Sequence, residues 1–309
     1  MVVRLKILVT GGAGFIGSNL SSRLVEDQHS VKIIDDLSTG LKKNVPAGAE
    51  LIIGSILDRT LVNSVVKSCD VVVHLAARGS VPRSIKNPRE THDVNATGTQ
   101  IILESASEVG CHVIYSSSSS VYGLNSQLPK NEEMVLKPAT PYAASKMAAE
   151  GLALSYANTY NLPVTVFRFF NIFGPRQRAD HEYAAVIPKW IDGCIKNKTL
   201  TVFGDGNQTR DFTYIDTVVE LLNVCINEKI THPEPINLAF GSKISLNTVI
   251  DLLKLEFPNI KVLYEQNRKG DIPHSENNPK LINQLFKGIE PISFKLALEK
   301  TVNWQRVNA

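Results

Sequence analysis

The chain has 309 residues, 43% of them apolar, and a formal net charge of +3; this suffices for one large α/β unit or two closely joined lobes, and the lack of a Lys/Arg block argues against a nucleic-acid partner. Cys69, Cys111, Cys194 and Cys225 stand far apart, with neither a CxxC nor a Cys/His ligand spacing, so neither a disulfide framework nor a metal site is expected. No apolar run reaches the roughly 18 residues of a membrane span, and a strand pattern begins almost at once with no signal peptide before it, so the expectation is a cytoplasmic protein without a membrane partner.

Short apolar runs alternate with helix-length segments, the pattern of a parallel sheet covered on both faces. Lys6–Thr10 reads as a buried strand and 19–28 as a helix. The second, third and fourth strands are expected at 31–35, 51–53 and 71–75. A helix over 98–107 precedes a fifth strand at 112–116, and a long helix over 142–160 precedes a sixth at Val164–Phe169, rich in β-branched and aromatic residues. Past residue 172 the elements shorten and Gly, Pro, Gln and Arg cluster, as in GPRQR from Gly174 and GDGN from Gly204. The expected division is a dinucleotide-binding domain over 1–172, with segments around 212–241 returning to it, and a smaller substrate lobe over 173–309.

TGGAGFIG, from Thr10 to Gly17, lies between the first strand and the first helix. Gly11, Gly14 and Gly17 have the GxxGxxG spacing that allows a tight turn, close backbone approach to a pyrophosphate, and a helix N-terminus facing the negative charge. Asp35 ends the next strand, about 20 residues on, where a carboxylate accepts from a ribose 2′-OH and repels a 2′-phosphate. NAD is therefore favoured over NADP; the adjacent Asp36 either shares the ribose or is a solvated turn residue. The expected fold class is α/β: a Rossmann-type doubly wound parallel sheet with a smaller mixed α/β substrate lobe.

Tyr142 and Lys146 stand at i and i+4 on the long helix and share a face. A free tyrosine titrates near about 10, too high for a base at neutral pH; a lysine cation beside it stabilises the phenolate. The serine run from Ser116 to Ser120, followed by Val-Tyr-Gly, ends the fifth strand, and carboxyl ends of parallel strands are where open α/β sheets put ligands.

With these residues assembled, the chain resembles the extended short-chain dehydrogenase/reductase family of nucleotide-sugar enzymes. The motifs run nearly end to end: HLAA from His74, PYAASK ending at Lys146, RFFNIFGP from Arg168, RDFTYID from Arg210 and RKGD from Arg268. The chain is most similar to UDP-hexose 4-epimerases, especially those acting on N-acetylated sugars. The resemblance implies a catalytic trio of Tyr142, Lys146 and Ser118. It implies NAD contacts from Gly11, Gly14, Phe15, Ile16, Gly17, Asp35, Asp36, Ser38, Gly40, Ser55, Ile56, Leu75, Ala76, Ala77, Asn95, Ser116 and Phe169, besides Tyr142 and Lys146. It implies UDP-sugar contacts from Gly79, Ser80, Ser117, Ser118, Asn171, Ala185, Val186, Trp190, Thr201, Arg210, Arg268, Asp271 and Ser275, and a homodimer through the helices that begin near Gly98 and Tyr142.

Three positions refine the resemblance. Sugar dehydratases carry Asp and Glu where this chain has Ser119 and Ser120, and related decarboxylases place Glu at the second, so simple 4-epimerisation is expected over elimination. Ser275 aligns with a site that is large and aromatic in epimerases restricted to plain hexoses, so room for an N-acetyl group is expected. Ser55 replaces a frequent Asp beside the adenine, which weakens one expected cofactor contact. The competing readings are a dehydratase or reductase on the same scaffold, and a non-catalytic NAD-binding regulator; the intact Tyr142 and Lys146 speak against the latter.

Overall fold

The computed structural model describes residues 4–180, 184–266 and 274–308. Contacts divide the chain into two compact units, one of 1–126, 132–169 and 219–238 and the other of 127–131, 170–218 and 239–309. The division thus falls at 169/170, and the returning segment is shorter than the expected 212–241.

The first unit contains β1 (Lys6–Thr10), α1 (Phe15–Glu26), β2 (Ser30–Asp35), β3 (Glu50–Ile53), α2 (Arg59–Val66), β4 (Val71–His74), α3 (Val81–Lys86), α4 (Pro88–His92), α5 (Gly98–Val109), β5 (His112–Ser118), α6 (Pro141–Tyr160) and β6 (Val164–Phe169). Its sheet has seven parallel strands in the order β11-β6-β5-β4-β1-β2-β3, with Ile236–Leu238 as β11 pairing β6. Strand order reverses between β1 and β4, so their carboxyl ends flank the crevice where a doubly wound sheet binds its ligand. Leu8, Ile34, Val72, Val113 and Val166 from five strands are buried with Val62 of α2, Ile102 and Leu103 of α5, and Ala149 and Ala153 of α6. These strands are buried on both faces, so they read as continuous apolar runs.

Helix α1 starts four residues earlier than expected, at Phe15, because Gly14 ends the turn and serves as its N-cap without a side-chain hydrogen bond. Helix α6 is fixed at its start by Thr140, whose hydroxyl accepts from the Ala143 amide at 3.2 Å, and by Pro141 in the first turn.

The second unit contains β7 (Asn171–Phe173), α7 (Val186–Ile195), β8 (Leu200–Phe203), β9 (Thr209–Arg210), β10 (Phe212–Tyr214), the start of α8 (Ile215–Asn227), β12 (Ile244–Ser245), α9 (Leu246–Glu256), β13 (Val262–Glu265), α10 (Lys280–Leu285) and α11 (Phe294–Asn308). Its strands pair only in twos, β10 with β7, β12 with β9 and β13 with β8. Helix α11 packs on α7, and Gln305 donates to the Pro188 carbonyl at 3.0 Å. Phe173, Phe212, Tyr214 and Phe294 form an aromatic cluster with ring centroids 5.2 to 5.8 Å apart.

A buried ion pair ties α6 to the sheet. Arg168 of β6 and Glu150 of α6 each expose only 4% of their side chains and meet at 2.6 Å. Glu150 also accepts from Ser117 at 2.6 Å, and Arg168 donates to the Tyr122 hydroxyl at 2.8 Å, which donates in turn to Asn237 at 2.7 Å. Arg168→Met should cost about 3–5 kcal/mol, read from the urea midpoint, because it leaves a buried carboxylate unpaired. The double variant Glu150→Leu/Arg168→Met should recover part of that loss; equal losses in both would show that the pair is not electrostatically coupled.

Candidate active site

The glycine turn is built for close backbone approach. Gly11 has φ +71, and a Cβ there would lie 2.9 Å from the Ala76 amide nitrogen; a Cβ on Gly17 would overlap the Gly11 carbonyl oxygen. Phe15, Ile16 and Gly17 form the first turn of α1, whose amides no side chain caps. Leu75 and Ala76 both donate to Thr10 Oγ1 at 3.2 Å, which holds 75–77 beside the turn. Asp35 accepts from the Ala13 amide and the Leu37 amide, each at 2.9 Å, and burial pushes its carboxyl above the ordinary range. Gly40 packs on this carboxylate: a Cβ there would stand 2.8 Å from Asp35 Oδ1. Burial alone would also raise Asp36, but hydrogen bonds from Ser38 and Arg78 outweigh it and hold that carboxyl low. A Cβ-free cradle, uncapped helix amides and paired carboxylates after β2 together fit a dinucleotide.

Tyr142, Lys146 and the serine run come together at the carboxyl end of β5. Lys146 donates to the Ser116 carbonyl at 2.5 Å and lies 4.9 Å from the Tyr115 ring centroid. Burial pushes its ammonium down to about 7, with Glu150 one turn away opposing that shift. Tyr142 is raised by burial, while its hydrogen bond with Ser118 pulls the other way. Ser118 Oγ accepts from the Ser120 amide at 3.2 Å and from the Ser120 hydroxyl at 2.9 Å. Beneath them His74 bridges Thr10 and Thr99 at 2.7 and 3.0 Å, and burial followed by the nearby Lys146 drives it down to about 3, so it is neutral. Phe169 pairs with Ser118 across β5 and β6 and is half-buried.

Several expected contacts are placed differently. Strand alternation turns Ser117 away from Ser116 and Ser118, and its buried hydroxyl donates to Glu150. The Ile56 side chain is buried in the core cluster, which leaves only its backbone for a ligand. Asn95 is buried, and its amide is spent on the Arg78 backbone and on Ser145 at 3.0 Å, which makes it an internal brace. The Ser116 hydroxyl donates to the His74 carbonyl at 3.0 Å. Ser55 accepts from the Leu57 amide at 3.1 Å, so its hydroxyl already closes a local turn. Ser80 caps α3, and Gly79 beside it is exposed.

In the second unit, Trp190 is interior and its indole N–H donates to the Thr201 carbonyl at 3.3 Å. The Ser275 amide donates to the Thr209 carbonyl at 3.0 Å, which sets Ser275 beside Arg210. Asn171 pairs with Phe212 across β7 and β10, and Ala185 and Val186 open α7. Arg268 and Asp271 lie outside the described residues. Among the described residues no group of three or more His, Cys, Asp or Glu side chains is placed to hold a metal ion, and no helix is long and apolar enough to cross a membrane.

The site includes residues that the sequence reading passed over: Glu150, Arg168, Tyr122 and Asn237. Two signals pointed to them. An arginine inside the apolar strand VTVFRF needs a partner, and Glu150 stands at i+4 from Lys146.

The profile of the NAD dependent epimerase/dehydratase family matches residues 7–239. The chain belongs to that family. It is thus an enzyme whose cofactor is NAD. It is 36% identical over 307 residues to a putative UDP-glucose 4-epimerase of Methanocaldococcus jannaschii, covering 98% of this chain and 99% of the relative. It is 34% identical over 316 residues to a UDP-N-acetyl-alpha-D-glucosaminuronate decarboxylase of Bacillus cytotoxicus, covering 97% and 98%. A solved UDP-N-acetylglucosamine 4-epimerase from Methanobrevibacter ruminantium, in complex with UDP-N-acetylmuramic acid, superposes with a TM-score of 0.93 at 31% identity and covers 99% of both chains.

The depressed Lys146 carries a sign. An unfolded lysine keeps its ordinary value of 10.5 and the folded one titrates near 7, so between these pH values the unfolded chain holds the extra proton and folding stability rises with pH. From pH 6 to pH 9 the stability of the cofactor-free protein, relative to Lys146→Met, should therefore shift in its favour by about 1–3 kcal/mol in urea titrations. A gap that does not change with pH would mean an ordinary, solvated lysine.

Proposed function

We propose that the enzyme inverts C4 of a UDP-hexose, interconverting UDP-N-acetylglucosamine and UDP-N-acetylgalactosamine, with UDP-glucose and UDP-galactose as further substrates. The observation that carries this reading is the cluster of Tyr142, Ser118 and Lys146 with serines, not acids, at 119 and 120. NAD, when bound, supplies the acceptor and donor of the hydride at C4. The Tyr142 oxygen takes the proton of the sugar 4-OH and later returns it. Ser118, within hydrogen-bond reach of Tyr142, holds the reacting O4 and passes the proton along. Lys146, fixed to the Ser116 carbonyl, provides the positive field that the phenolate needs. The 4-keto sugar turns over between removal and return of hydrogen, so C4 is inverted and no net redox equivalent is consumed.

Elimination of water needs an acid and a base at C5 and C6, and the Ser120 hydroxyl, directed to Ser118, is neither. The serines at 119 and 120 therefore support epimerisation over decarboxylation or dehydration in this reading. In this reading Asn171, Arg210, Arg268 and Asp271 hold the UDP moiety, since guanidinium forks suit a diphosphate. The small Ser275 leaves room for the acetamido group, and the relative bound to an acetylated UDP-amino sugar supports that choice. The helices α5 and α6 serve as the dimer contact.

The test is incubation of the purified enzyme with UDP-N-acetylglucosamine and with UDP-glucose, separately and without added NADH, followed by chromatographic resolution. A 4-epimer is expected from both. A keto-deoxy product, or turnover only with NADH supplied, would contradict the reading. Ser275→Tyr should cut kcat/KM for the acetylated sugar by about tenfold or more while sparing UDP-glucose, since it fills the space a side group needs. Equal losses on both sugars would remove Ser275 as the gate.

A further inference from the structure

Arg78 follows β4, yet its side chain reaches the segment after β2. Its guanidinium donates to Asp36 at 3.0 Å and to the Ser38 hydroxyl at 2.6 Å, and on its other edge to Glu90 of α4 at 2.9 Å. Strand β1 lies between β4 and β2. Two strand spacings amount to roughly 10 Å, so the side chain spans the carboxyl end of β1, the point from which the glycine turn departs. Arg78 exposes only 14% of its side chain, and Asp36 32%, a degree of shielding at which a forked ion pair outweighs an ordinary surface contact.

The root of the span is fixed as well. The Arg78 amide donates to Asn95 Oδ1 at 2.7 Å, and Asn95 donates to Ser145 of α6 at 3.0 Å. The Ser145 hydroxyl donates in turn to the carbonyl of Tyr142 at 2.8 Å. The bridge therefore runs from the loop after β2 to the first turn of the catalytic helix. Arg78 and its partners Asp36 and Ser38 lie on segments that follow β4 and β2, the strands flanking β1, from which the glycine turn departs.

We propose that Arg78 is a clasp over the NAD crevice: its fork to Asp36 and Ser38 must open for the cofactor to leave, and it sets how long NAD stays bound. This rests on the family's NAD dependence. A long residence suits an enzyme that returns each hydride to its own substrate and has no need to exchange cofactor between turnovers. The pairing also neutralises Asp36, which leaves the buried Asp35 as the acid that opposes a 2′-phosphate.

The experiment loads the full-length protein with NADH, chases it with excess NAD and follows NADH fluorescence in a stopped-flow instrument, with association measured separately. Arg78→Leu should release NADH about tenfold faster or more, with association no slower. Arg78→Lys should fall between that variant and the natural protein, since an ammonium reaches Asp36 but cannot fork to Ser38 and Glu90. Release from Arg78→Leu within about twofold of the natural protein would overturn the clasp, as would an affinity loss caused wholly by slower association, the mark of a structural brace. A natural protein that, once stripped of any resident nucleotide, takes up no NADH would instead overturn the cofactor assignment itself, and the clasp with it.

Discussion

A dry lysine organises this site. Lys146 is buried against the carbonyl of Ser116, where its charge is costly, and that cost makes it responsive to its neighbours. Glu150, one turn along α6, is the compensating charge, and it is itself held by Arg168 of β6 and by Ser117 of β5. The ion pair thus fixes the register of helix against sheet and at the same time sets the field around the lysine. Tyr142, one turn earlier on α6, inherits both its position and its electrostatics from this arrangement. Removing water from the pocket raises the tyrosine and lowers the lysine; a positive charge beside Tyr142 acts against the first of these shifts, because it favours the phenolate.

The topology explains why the same place receives cofactor and proton chemistry. Strands β1 and β4 diverge in connection order, and the turns that follow them, the glycine turn and 75–77, pack against each other. The next strand over, β5, ends in the serine run. The switch point between β1 and β4 therefore lies one strand away from the serine run and Tyr142.

Much of this was legible in the sequence, and the exceptions have physical causes. The first six strands are apolar runs bounded by turn residues, and each appears within a residue or two of its expected span. The seventh, β11, is a three-residue strand, Ile-Asn-Leu, too short for any periodic signal and defined by pairing with β6. Helix α1 begins early because a glycine cap leaves no side-chain marker. Tyr142 and Lys146 stand out in the sequence through their i, i+4 spacing, and Ser118 through the resemblance; in the structure Ser118 lies within hydrogen-bond reach of Tyr142. The inward turn of Ser117 had no signal, because a run of five serines hides the strand alternation that turns one hydroxyl to Glu150. The burial of Trp190 had no signal for a related reason: an aromatic in a motif says nothing about which way it points, and here its indole N–H is spent inside its unit. The span of Arg78 across β1 has no sequence signal, since it joins residues more than forty positions apart from different strands.

The central claim is that one and the same hydrogen leaves C4 and returns to it. The most direct measurement uses a UDP-hexose deuterated at C4, converted by the enzyme in ordinary water and analysed by NMR. The account predicts a 4-epimer that retains deuterium at C4. Washout of deuterium to solvent, or its recovery at another carbon, would contradict it.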